Sequence, residues 1–80
     1  MRSVARVRGR VHYVEVSPAD RPARLVVRLV DDSGAIDCVF LGRRGIPGIE
    51  PGAVLHVEGR VAAGEDVAMI YNPRYELLPA

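Results

Sequence analysis

Apolar and polar residues alternate with a period of two along most of this chain, and glycine or proline interrupts the alternation at intervals. Successive side chains of a β-strand point to opposite faces, so the pattern predicts an all-β domain whose strands each bury one face. The clearest stretch is Leu25 to Leu41. Leu25, Val27 and Leu29 share a face, with Arg24 and Arg28 on the other. Asp32-Ser33-Gly34 reads as a tight turn, because Asp and Ser bond back to nearby backbone and Gly accepts a positive φ. Ile36, Cys38 and Phe40 then share the buried face opposite Asp37. The hairpin ends at Gly42-Arg43-Arg44-Gly45.

The flanking segments follow the same rule. Residues 4–16 form a long first strand with Val7, Gly9 and Val11 on one face and Arg6, Arg8, Arg10 and His12 on the other. The alternation slips near Tyr13-Val14, which predicts a bulge or a sharp bend. Ser17 to Pro22 is a loop, since two prolines in five positions forbid regular pairing. Residues 42–52 carry four glycines and two prolines, so no long helix fits there. Ile46 and Ile49 within that stretch are placed to plug one end of a barrel. Residues 53–62 form the fourth strand and residues 67–71 a fifth, ended by Asn72-Pro73. The tail from Arg74 to Leu78 packs or pairs at the edge.

One internal echo bears on closure. Val7-Arg8-Gly9-Arg10-Val11 recurs as Val57-Glu58-Gly59-Arg60-Val61. An inward glycine lets a strand coil sharply where a closed sheet turns a corner. Pairing of the first strand with the fourth would close five strands into a barrel. The expected fold is therefore a five-stranded OB-fold barrel over residues 1–80, one domain, with little or no helix between strands three and four.

These segments, together with Leu29 to Gly34, Phe40 to Arg44, Ile46 to Gly52 and Asn72 to Glu76, give the chain a resemblance. It resembles nucleic-acid-binding OB domains of the bacterial anticodon-binding type. It is similar to stand-alone actinobacterial OB-fold proteins and, more distantly, to the wedge domain of RecG-type helicases. The resemblance implies a fold more specifically than a ligand, because OB domains bind single strands, tRNA, sugars or other proteins. The chain has no Trp and few aromatics, unlike dedicated single-strand binders.

Composition narrows the reading. Eighty residues suffice for one small core. No apolar run approaches the roughly 20 residues that span a bilayer, and the start lacks the apolar segment of a secretory signal. One cysteine cannot form an internal disulfide. A cytoplasmic protein is the expectation. The net charge is only +1, but its distribution is uneven. Residues 1–30 hold seven Arg against two acids, and residues 31–80 four Arg against eight. No Lys is present; arginine's planar fork suits phosphate and stacking contacts.

No Ser-His-Asp or Cys-His motif, phosphate-binding glycine loop or metal-ligand spacing occurs, so neither an enzyme nor a cofactor is expected. His12 and His56 lie on outward faces, and Cys38 alternates with core residues. The sequence favours single-stranded DNA or RNA as partner. Arg6, Arg8 and Arg10 recur at about 7 Å along one strand face, near the phosphate spacing of an extended single strand. Arg24 and Arg28, then Arg43 and Arg44, extend a candidate groove across strands one to three. Tyr71, Arg74 and Tyr75 are further candidates. The competing expectation is that the arginines are neutralised by Glu15, Asp37 and Glu58 on neighbouring strands. An acidic loop, Glu65-Asp66, also opposes nucleic acid. The alternative function is a protein-interaction or homodimerisation module, using an outward apolar patch of Val26, Val30, Val39 and Leu41.

Overall fold

A computed structural model describes residues 4–79. The described residues form one six-stranded sheet and no helix: β1 (Val4–Val16), β2 (Arg24–Asp31), β3 (Gly34–Leu41), β4 (Val54–Ala62), β5 (Ala68–Tyr71) and β6 (Arg74–Leu78). No helix among them is long and apolar enough to cross a membrane. The strand order is β1-β2-β3-β5-β4-β6, and β1 also pairs with β4. Five strands thus form a ring. All pairings are antiparallel except β3 with β5.

Alternation fixes which face each strand buries. Val11, Leu25, Val27, Leu29, Cys38, Phe40, Leu55, Val57 and Ile70 form the core together with Ile46 and Ile49. The two isoleucines do plug the interior, at 6% and 8% exposure, from a turn closed by Ile49 N–H donating to the Ile46 carbonyl. Cys38 is fully buried, and burial, reinforced by the Asp37 charge, pushes its thiol up to about 12. It is a small core residue with little thiolate character.

The hairpin turn differs in detail from expectation. Asp31, not Asp32, bonds back: its Oδ1 accepts from Ser33 N–H (2.7 Å), Ser33 Oγ–H (2.6 Å) and Gly34 N–H (3.1 Å). Asp31 pairs with Gly34, so the loop is the two residues between them. The bulge in β1 falls at His12, where Val11 opposes Leu29 and Tyr13 opposes Arg28.

The strand count also differs. The line that ends at Asn72-Pro73 resumes as β6, and both halves pair with β4. Between Ile70 and Arg74 this line spends three residues where β4 spends two. Asn72 absorbs the extra residue with φ 48°. It also donates its N–H to the Val39 carbonyl and accepts the Leu41 N–H on its side chain. Asn tolerates this left-handed conformation better than most residues.

The glycines of the sequence echo sit at the two corners of the ring. Val7 opposes Val57, so the two copies run antiparallel to each other and their glycines are offset. A Cβ on Gly9 would lie 2.9 Å from the Val30 carbonyl oxygen and 3.3 Å from Leu29 Cβ. A Cβ on Gly59 would lie 2.6 Å from Ile70 Cγ2. Each glycine leaves room for the strand that crosses close to it.

Gly9→Ala is therefore expected to destabilise the protein by roughly 1–3 kcal/mol, since the obstacle is backbone and cannot rotate away. Gly45→Ala, where a Cβ meets nothing within 4 Å, should change stability by less than about 0.5 kcal/mol. Urea unfolding midpoints measure both.

Candidate nucleic-acid interface

The path of β1 decides where its arginines go. From Val4 to Arg10 it pairs with β4, and from Arg10 to Val16 with β2. The expected groove across strands one to three is therefore not assembled. Arg6, Arg8 and Arg10 stand beside β4 and β6, while Arg24 stands opposite Leu41 at the far end of the β2–β3 hairpin.

Register defines the face that the first three do occupy. Arg10, Val54 and Leu78 form one row, Arg8, His56 and Glu76 the next, and Arg6, Glu58 and Arg74 the third. Arg60 follows on β4 opposite Val4. This outward face carries five arginines against two glutamates. Arg6 Nε donates to Glu58 Oε2 at 3.2 Å, and Arg10 Nη1 to the Gly52 carbonyl at 3.0 Å. Both remain exposed, and Arg8 has no ion pair among the described residues. His12, in the bulge, stands four residues along β1 from the residue that faces His56, so the histidines are not neighbours.

The lower corner of this face is a shallow depression lined by Val4, Glu58, Gly59, Arg60, Tyr71, Asn72 and Arg74. Tyr71 is 48% exposed there. Arg60 and Asn72 were not among the residues expected from the sequence. Alternation places Arg60 on the outward face of the fourth strand with His56 and Glu58, and the register that sets it opposite Val4 brings it onto the arginine face. In the sequence, Asn72-Pro73 signals only the end of a strand.

Other candidates have structural work. Arg28 donates from Nε and Nη2 to the two carboxylate oxygens of Asp37, at 2.8 and 3.0 Å. Its Nη2 also meets Asp66 at 3.1 Å, and its guanidinium lies 5.2 Å from the Tyr13 ring centre. Hydrogen bonding to Asp37 holds it more firmly protonated than a free arginine. Two carboxylates already face this cation, which leaves the β2–β3 face with no surplus positive charge at its centre. Arg44 Nη2 donates to the carbonyls of Pro18, Ala19 and Arg21 and so pins the 17–23 loop against the end of β3. Arg24 and Arg43 are exposed without an ion pair among the described residues. Tyr75 packs edge-on against Phe40, 5.6 Å between ring centres, and helps to close the ring's end rather than offering a free ring.

The apolar patch is not continuous. Val39 is fully buried, because β3 has strands on both sides and Val39 lies in a row between Val26 and Tyr71. Val26 and Val30 are half-buried, leaving Leu41 exposed at 52%. Among the described residues no three His, Cys, Asp or Glu side chains gather to hold a metal ion.

Comparison with protein-family models, curated proteins and solved structures returned no match. The purpose of the ring has to be read from its own surface.

Two outcomes are expected of the acidic groups. Asp37→Asn should lower the melting temperature more than Asp66→Asn. Asp37 holds Arg28 bidentately at 15% side-chain exposure, whereas Asp66 is 76% exposed. Asp31 is held below the usual carboxylate range by the Ser33 hydroxyl, then by the Ser33 and Gly34 N–H groups. Its contribution is full above the unfolded value of about 4 and is lost as pH falls through the lowered folded value. An acid titration of stability should show Asp31→Asn lacking that part of the acid-side decline.

Proposed function

We propose that this chain is a small OB-type barrel that binds single-stranded DNA or RNA weakly and with little sequence preference. It acts as a binding module of the cytoplasm rather than as an enzyme. The ring of five strands supports the fold reading. The observation that carries the function is the outward face of β1, β4 and β6. Five arginines gather there against two glutamates, in a chain whose net charge is only +1.

The mechanism follows from that face. Arg6, Arg8 and Arg10 recur at about 7 Å, and guanidinium groups at that spacing meet successive phosphates of an extended strand. Each contact releases counterions. Tyr71, between Arg60 and Arg74, offers a ring on which a base stacks. One exposed tyrosine gives weak, sequence-tolerant binding. OB domains commonly bind through strands two and three. In this chain that face holds the Arg28–Asp37–Asp66 cluster, so the proposed strand path is displaced to β1, β4 and β6.

Fluorescence anisotropy with a labelled single-stranded 12-mer at two salt concentrations tests the proposal. About three phosphate contacts give a log–log salt slope near −2, at roughly −0.7 per contact. Arg8→Glu with Arg74→Glu should weaken binding at least about tenfold, and Tyr71→Ala should remove roughly 1–3 kcal/mol. Arg24→Glu, two strands away from Tyr71, should weaken binding less than Arg8→Glu with Arg74→Glu does. Absence of binding at low salt by the folded protein would overturn the proposal, as would an equal loss with Arg24→Glu.

A further inference from the structure

Every strand of the ring has a neighbour on each side, whereas β6 pairs among the described residues with β4 alone. Its other edge is therefore a row of unpaired backbone donors and acceptors about 17 Å long. Arg74, Tyr75, Glu76 and Leu77 on it are all exposed. Natural edge strands are usually blunted by short length, charged side chains, proline, a bulge or a covering segment. This one has no proline inside it, and it carries one charge of each sign two residues apart on the outward face. Pro73 and Pro79 bracket it and confine pairing to the residues between them.

We infer that β6 is a self-association edge, on which the β6 strand of a second copy of this chain docks antiparallel. The charges select one register. Pairings that keep outward face beside outward face centre on a residue. Centring on Glu76 sets two glutamates directly opposite, which is destabilising. Centring on Leu77 leaves Arg74 without a partner. Centring on Tyr75 sets Arg74 of each copy opposite Glu76 of the other, a ladder of three residue pairs, because Leu77 then falls opposite Pro73. Cross-strand pairs of opposite charge stabilise such a ladder. The two-fold interface is isologous, and its backbone pairing is that of strand addition. The arginine faces of the two copies then become one continuous surface. The inference does not depend on nucleic acid binding, because it rests on the edge and its charge pattern.

An interface of one short strand is small, so the dimer should be weak. Sedimentation equilibrium on the full chain measures this. Arg74→Glu and Glu76→Arg, each alone, set like charges opposite one another twice and should weaken self-association at least tenfold. Mixing the two single variants should restore association as a heterodimer, because each then supplies the charge that the other needs. The Arg74→Glu/Glu76→Arg exchange should dimerise like the wild type. Concentration-dependent amide shifts confined to residues 74–78 provide a reading that needs no variant. A wild-type chain that stays monomeric at 1 mM overturns the inference. So do single variants that associate as the wild type does, or shifts that fall elsewhere.

Discussion

The structure depends on β1 being shared between two partners. A ring of five strands closes only if one strand leaves one neighbour and joins another, and β1 does so at Arg10, which opposes both Val30 and Val54. A strand making that change must bend beneath a crossing strand. Gly9 supplies the room on β1, within 2.9 Å of the Val30 carbonyl, and Gly59 supplies it on β4 against Ile70. The bulge at His12 then resets the register, so that Tyr13 and the residues beyond it meet β2 correctly. With the ring closed, the eleven side chains of the core cluster can bury themselves without a helix, and Ile46 and Ile49 from the 42–53 connection fill its end.

The same sharing of β1 organises the surface. Because the first half of β1 lies beside β4, its arginines join Arg60 and Arg74 instead of Arg24 and Arg28. Positive charge therefore gathers on one side of the ring. On the other side, Arg28 is held by Asp37, Asp66 and the Tyr13 ring. A guanidinium between two carboxylates has little left to offer a phosphate. The acidic loop after β4 thus acts as a local partner to β2, and the binding proposal moves to the face where the arginines outnumber the acids.

Local features of this fold were legible in the chain. Period-two alternation identified the strands and their buried faces, from Val7 and Val11 to Leu55 and Val57, and the glycine echo pointed to the β1–β4 pairing. Side-chain direction is a local property, and hydrophobic patterning encodes it directly. Which strand lies beside which is not local. The division of the arginines could not be read from alternation, because it is set by the residue at which β1 changes partner. Val39 shows the same limit: its outward direction is readable, but its burial comes from the two strands flanking β3. Arg44 is a third case. Two cations between glycines look free in the sequence, yet one of them reaches three carbonyls of a loop more than twenty residues away.

Cross-strand proton–proton contacts measured by NMR test the closed ring most directly. The account predicts β1–β4 contacts in the register that sets Val7 opposite Val57 and Arg8 opposite His56, alongside β1–β2 contacts that begin only from Arg10 onward. Contacts from β1 to β2 along its whole length, with none to β4, would contradict the ring, and with it the arginine face built upon it.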